Sequence, residues 1–195
     1  MYPIFRNLIT KTYFASTVIF QTKRDDMSRT ILITGAGSGF GKGAAIALAE
    51  AGHQVIATTE TQEQASLLSA EAPKLQVEKL DITDANDIAK ARSWDIDVLI
   101  NNAGCGQTGP MSDVPADRLR RVFEVNVFGT VAITQAVLPR MAAKGSGRII
   151  IMSSIAGVLA APGFGPYAMT KHALEAMGKA MRAELAPQGI DVCLI

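Results

Sequence analysis

Between a short apolar run, Thr30 to Thr34, and a segment of helical pattern through Ala51, the chain reads Gly35, Ala36, Gly37, Ser38, Gly39, Phe40, Gly41. This stretch narrows the accessible folds more than any other. A short apolar run bounded by turn residues reads as a strand buried on both faces, and Gly52 closes the helix. Strand, glycine turn and helix in this order form the context of a dinucleotide fingerprint. Glycines let backbone approach a pyrophosphate closely, and the helix N-terminus offers unpaired N–H groups and a favourable dipole. Tight turns use glycine for other reasons, so the reading rests on the context of Gly35, Gly39 and Gly41 rather than on glycine alone.

The rest of the chain repeats the alternation. Gln54 to Thr58 reads as a second strand, followed by a helix from about Gln62 to Ala70. Leu75 to Leu80 is a third strand ending at Asp81 and Ile82, and Asp84 is placed to cap a short helix to about Arg92. Ile96 to Ile100 is a fourth strand that runs into Asn101, Asn102, Ala103 and Gly104. A long helix is expected from about Pro115 to Met141, with Asn126 as a polar residue in an apolar run. A buried asparagine needs partners, so Asn126 either fixes local structure or binds water at a site. Arg148 to Met152 is the fifth strand, a helix runs from about Tyr167 to Leu185, and Ile190 to Ile195 is the sixth strand. Such alternation predicts an α/β protein with a doubly wound, mainly parallel sheet in order 3-2-1-4-5-6. Ligands of these sheets bind at the carboxyl ends of the strands, where every motif named here falls.

The end of the second strand is where an adenosine ribose is met. An acid there selects NAD through the 2′-hydroxyl, and an arginine accepts the 2′-phosphate of NADP. The turn reads Thr58, Thr59, Glu60, Thr61, with no arginine or lysine close in sequence, which favours NAD over NADP. The competing reading leaves Glu60 solvated or capping the next helix.

A second cluster follows the fifth strand. Ser153 and Ser154 precede a glycine- and proline-rich loop, then come Tyr167 and, four residues on, Lys171. On a helix these two share a face. Free tyrosine has a pKa of about 10, and a nearby ammonium favours the phenolate. With a serine hydroxyl holding a carbonyl or alcohol oxygen, the three groups would make a proton-transfer site for a C–OH/C=O couple. A tyrosine–lysine pair alone is more often structural, so the assignment needs a hydride carrier nearby.

The 195 residues suffice for one domain with a real core. A net charge of +1 excludes a basic field for nucleic acid. Cys105 and Cys193 lack metal spacing and read as reduced, buried thiols of a cytoplasmic protein. His53 and His172 have no partners spaced for zinc, so no metal is expected. Residues 1–27 are basic and free of acids before Asp25, and no stretch among them is continuous enough to span a membrane. A transit peptide is one reading. The preferred one starts the natural domain at Met27, with the preceding residues a mis-start or a disordered arm, so that 28–195 form the domain.

Together these motifs resemble the short-chain dehydrogenase/reductase family. The resemblance covers Ser28 to Ile195 and is carried by Thr34 to Gly41, by Asp81, by Asn101 to Gly104, and by Asn126, Ser154, Tyr167 and Lys171. It implies a Rossmann fold and an NAD- or NADP-dependent oxidoreductase. Gly35, Ser38, Gly39, Phe40, Gly41, Glu60, Asp81, Ile82, Asn102, Ala103, Gly104, Tyr167 and Lys171 would contact the cofactor. Tyr167 would move the proton, Ser154 would hold the substrate oxygen, and Ser153 is its alternative. Lys171 would assist Tyr167 and bond the nicotinamide ribose, and Asn126 would position a water linking Lys171 to solvent. The resemblance further implies a small-molecule secondary alcohol or ketone as substrate, steroid- or retinoid-like by the stretch Phe123 to Gly129 and the segment after Gly104. A ketoacyl-thioester reductase and a non-catalytic dinucleotide-binding or regulatory protein, or an inactive fragment, are the alternatives. It implies a homo-oligomer as well. Two departures stand out. The segment between Asp81 and Ile96 is short for the family, and family members continue past the sixth strand with a proline-glycine turn, a substrate loop, a helix and a seventh strand, so the sequence is expected to be incomplete.

Overall fold

The computed structural model describes residues 28–195, and the expectations for residues 1–27 lie outside them. Six strands form one parallel sheet: β1 (Thr30–Ile33), β2 (Gln54–Thr59), β3 (Gln76–Lys79), β4 (Val98–Asn101), β5 (Gly147–Ile151) and β6 (Ile190–Leu194). Their order is 3-2-1-4-5-6, as the alternation predicts. The helices between them are α1 (Gly39–Glu50), α2 (Gln62–Glu71), α3 (Ala85–Ala91), α4 (Ala116–Phe123), α5 (Thr130–Lys144) and α6 (Gly165–Leu185).

Successive side chains of a strand point to opposite faces, and the two cores follow from that. Ile31, Ile33, Val55, Ala57 and Val98 pack with Ala45 of α1 and Leu68 of α2 on one face. Leu32, Leu99, Ile149 and Ile151 pack with Ile133, Val137 and Met141 of α5 and with Leu174 and Leu185 of α6 on the other. Leu32, Leu99 and Ile149 are wholly inaccessible, which is why the central strands read as unbroken apolar runs rather than as alternating ones.

The structure departs from the sequence expectation in the long helix. Instead of one regular helix there is a π-helical turn, Glu124–Gly129, between α4 and α5. The stretch Ala116–Lys144 is long and apolar enough to cross a membrane, yet Val122, Ile133, Val137 and Met141 lie against the sheet as core. Cys105 and Cys193 are free thiols as expected, but half-buried rather than buried.

The start of α3 is anchored electrostatically. Asp84 caps it, accepting from the N–H groups of Asn86 and Asp87. The buried Asp87 carboxylate then accepts from Lys79 Nζ at 2.5 Å, Lys90 Nζ at 2.7 Å and the Asp81 N–H at 2.8 Å. Burial pushes this carboxyl up, but the three hydrogen bonds outweigh it and hold it well below the usual carboxylate range. The network thereby fixes the carboxyl end of β3, where Asp81 and Ile82 sit. A depressed folded-state pKa stabilises the fold above the unfolded value of about 4, and that contribution disappears as pH falls through the folded value. Asp87→Asn is therefore expected to cost about 2 kcal/mol at neutral pH and to flatten the acid limb of the stability curve. Urea denaturation between pH 7 and pH 3 measures both effects, and an unchanged acid limb would remove Asp87 from this role.

Candidate functional site

The glycine turn and the end of β4 are tied to one another. Thr34 Oγ1 accepts from the N–H groups of Asn102 and Ala103, each at 3.1 Å. Asn102 Nδ2 donates back to Thr34 O at 2.9 Å and Gly35 O at 3.0 Å. The approach is close enough to require glycine. At Gly35, φ is +66° and a Cβ would stand 2.7 Å from Ala103 Cα. At Gly41 a Cβ would stand 2.3 Å from Asn102 Nδ2 and 2.7 Å from Gly35 O. Gly35 thus serves the tight turn and Gly41 the close packing of α1 on the strand ends, two of the roles that the fingerprint assigns to its glycines.

Beside this clasp lies a cavity of about 350 Å³ lined by Gly35, Gly37, Ser38, Glu60, Asp81, Ile82, Asn102, Ala103 and Gly104 among others. Gly37 is an addition to the residues expected there. Phe40, expected at the cofactor, does not line it, and its side chain is 85% exposed. Gly39, Gly41, Tyr167 and Lys171 do not line it either. Ser38 precedes α1 without a side-chain cap, and the first turn of α1 carries no acid. Its leading N–H groups are therefore left for an anion, with the dipole in the favourable sense. These observations fit a dinucleotide. Asp81 Oδ1 accepts from the Thr83 N–H and Oγ1, both at 2.8 Å, which stiffens its turn at the cavity wall.

The expectation that no cation stands near Glu60 holds in sequence but not in space. Arg121 of α4 reaches across, its guanidinium 3.1 Å from Glu60 Oε1, and both residues line the cavity. Sixty-one residues separate them, and no local pattern announces the pair.

The second cluster assembles on the same sheet edge. The π turn places Asn126 inward, 1% exposed. Its Oδ1 accepts from the Cys105 N–H at 2.8 Å, while Nδ2 donates to Cys105 O at 2.9 Å and to Thr170 Oγ1 at 3.1 Å. Thr170 Oγ1 in turn donates to Tyr167 O at 2.7 Å. Asn126 thereby ties the loop after β4 to the helix that carries Tyr167. Thr170, lying inside the Tyr167–Lys171 interval, was not singled out from sequence, because a threonine inside a helix carries no signal of its own.

Tyr167 and Lys171 share a face of α6, with Lys171 Nζ 5.5 Å from the phenol ring centroid. Lys171 is 7% exposed and donates to Met152 O at 2.7 Å. Burial pushes its ammonium below the usual lysine value. The two serines differ in their bonding. Ser153 Oγ donates to Glu175 Oε1 at 2.6 Å, whereas Ser154 Oγ accepts from the Ala156 N–H at 3.1 Å and keeps its own hydrogen to donate. Ser154 thus leaves a hydroxyl donor just past the end of β5, where Lys171 is anchored through Met152 O beside the Tyr167 ring.

A doubly wound parallel sheet with a glycine turn and a polar cluster at its carboxyl edge is the architecture of Rossmann-type proteins. The family described as short chain dehydrogenase matches residues 29–195. The chain is 40% identical over 175 residues to the uncharacterized oxidoreductase YusZ of Bacillus subtilis, covering 84% of this chain and 62% of that protein. It is 36% identical over 180 residues to the NADPH-dependent 3-dehydrocapnine reductase of Ornithobacterium rhinotracheale, covering 86% and 64%. Against human 17-beta-hydroxysteroid dehydrogenase type 1 it is 37% identical over 184 residues, covering 87% and 56%. A crystal structure of a short-chain dehydrogenase from Streptomyces avermitilis superposes with a TM-score of 0.81 at 38% identity, covering 86% of this chain and 64% of that one. The chain belongs to the short-chain dehydrogenase family. It spans less than two thirds of the length of these relatives.

Because a Cβ at Gly41 would collide with both Asn102 Nδ2 and the Gly35 carbonyl, Gly41→Ala is expected to destabilise the protein by about 1–3 kcal/mol. Gly43→Ala on the same helix meets nothing within 4 Å and serves as the control. Equal thermal unfolding midpoints for the two variants would contradict the clasp.

Proposed function

We propose that this chain carries the cofactor-binding and proton-transfer groups of an NAD(P)-dependent oxidoreductase that interconverts a secondary alcohol and a ketone. The observation that carries the reading is that Lys171 bonds Met152 O, two residues before the free-donor Ser154, and lies beside the Tyr167 ring, at the carboxyl edge of the sheet that also bears the glycine-lined cavity. When bound, a nicotinamide supplies or accepts the hydride. The first turn of α1, with its uncapped N–H groups, would hold the pyrophosphate, and Asp81, Ile82 and Asn102 to Gly104 would form the wall of the adenosine side. Lys171 would bond the nicotinamide ribose.

Ser154 donates its hydroxyl hydrogen to the substrate oxygen and orients it. Tyr167 gives its phenolic proton to that oxygen in reduction and takes it back in oxidation. The Lys171 ammonium beside the ring attracts the negative charge that the phenol oxygen gains as the proton leaves. Met152 O holds Lys171 to the end of β5, and Asn126, bonded to Thr170 and Cys105, keeps α6 in register with the loop after β4. Glu60, an acid at the end of β2, favours NAD over NADP.

A lipophilic substrate, steroid- or retinoid-like in size and polarity, suits the surroundings. Ile155, Val158, Leu159 and Phe164, in the segment between Ser154 and Tyr167, are all more than half exposed. An apolar cluster of this kind beside a polar reacting centre matches a substrate with a large apolar body and a single oxygen.

Tyr167→Phe removes only the transferable proton. Turnover of lipophilic secondary alcohols and ketones is expected to fall by about 10²–10⁴, while dinucleotide binding, followed by nicotinamide fluorescence, stays unchanged. Retained turnover in the variant would rule out Tyr167 as the acid–base group. Unchanged dinucleotide binding in a parent protein that turns over none of these substrates would favour a non-catalytic dinucleotide-binding protein.

A further inference from the structure

We infer that Arg121 is a specificity-determining residue for the adenosine 2′ position, acting with Glu60 as a paired reader. The inference rests on the reading of the cavity as a dinucleotide site. Arg121 and Val125 are one helical turn apart, and both line the cavity from the α4 side. Glu60 lines it from the end of β2, so the ion pair between them spans two walls. Among the described residues lining the cavity, Arg121 is the single lysine or arginine. The other acid on the wall, Asp81, already accepts two hydrogen bonds from Thr83.

The pair is poised to exchange partners. Both side chains are about half exposed, 54% for Arg121 and 55% for Glu60, and a pair so exposed is weakly held. With NAD, Glu60 accepts from the ribose 2′-hydroxyl while Arg121 keeps the carboxylate in place. With NADP, the 2′-phosphate is repelled by Glu60 and attracted by the guanidinium, whose planar fork matches a phosphate in two parallel hydrogen bonds. Glu60 thus does two things at once: it binds the hydroxyl, and it occupies the one cation that would otherwise hold a phosphate. Removing the Glu60 charge therefore does more than relieve repulsion, because it frees Arg121. This coupling separates the inference from a role for Glu60 alone.

The test is a double-variant cycle on the 195-residue chain, titrating NADH and NADPH by nicotinamide fluorescence. The parent is expected to bind NADH more tightly. Glu60→Gln should shift the ratio of the two Kd values toward NADPH by about tenfold or more. Arg121→Gln should weaken NADPH binding more than NADH binding. In the double variant most of the Glu60→Gln shift should vanish. If the double variant keeps the whole shift, Arg121 is a bystander and the inference falls while the dinucleotide reading stands. If the parent binds neither NADH nor NADPH, the reading of the cavity fails and the inference fails with it. Both substituted side chains are half exposed, so folding is expected to survive, and circular dichroism of each variant checks this.

Discussion

Much of this structure depends on the reciprocal clasp between Thr34 and Asn102. One hydroxyl accepts two backbone N–H groups, and one amide donates to two carbonyls, across the ends of two adjacent parallel strands. Strands β1 and β4 pair only from Ile31 to Ile33 with Val98 to Ile100, and beyond that ladder the chain turns away on both sides. Without further partners the backbone groups at these ends would be left to solvent beside the cavity. Side-chain hydrogen bonds satisfy them instead and hold the two turns at a fixed separation. The same closeness forbids a Cβ at Gly35 and Gly41, so the glycines and the Thr34–Asn102 clasp are a single constraint.

A second tie repeats the logic further along the edge. Asn126 pairs with both backbone groups of Cys105 as a neighbouring strand would, and reaches Thr170 on α6. A regular helix from Ala116 to Lys144 would present its side chains at 100° intervals throughout. The π turn breaks that sequence, and such insertions often occur at functional positions. Here it sits between α4, which lines the cavity through Arg121, and the α5 face that fills the core, and its own Val125 lines the cavity as well. The two candidate sites are thus joined through one helical stretch: Arg121 lies on the cavity side of the turn, and Asn126 within it reaches Thr170, beside Lys171.

Charge is distributed in the same spirit. The Lys171 ammonium is buried with one carbonyl partner, and burial pushes its pKa down. The Asp87 carboxylate is buried with three donors, which is why it remains ionised despite desolvation. The first is a cation kept short of partners beside a phenol, the second an anion fully satisfied away from the reacting groups. The contrast between a group left available and one fully committed recurs at Ser154 and Ser153, where the bond to Glu175 removes one of two adjacent hydroxyls from use.

The alternation of apolar runs and helical segments was enough to state the parallel sheet and its order, because a strand buried on both faces must be apolar along its whole length. The Tyr167–Lys171 spacing was also legible, since i and i+4 meet on any helix. The sequence order further indicated that Gly35 to Gly41, Asn102 to Gly104 and Ser154 lie at strand ends and that Tyr167 starts the helix after the fifth strand. What it left open is settled by contacts between residues far apart in the chain. Ser154 is separated from Ser153 by a bond to Glu175, two helical turns beyond Tyr167. Asn126 bonds Cys105 and Thr170, from a loop and a helix distant in sequence. Glu60, solitary in its own turn, is paired with Arg121 from a different helix. Local pattern determines which secondary element a residue joins, because backbone periodicity is a short-range property. Only tertiary packing decides which hydrogen bonds and charges remain free at the site, because the partners that occupy them arrive from other elements.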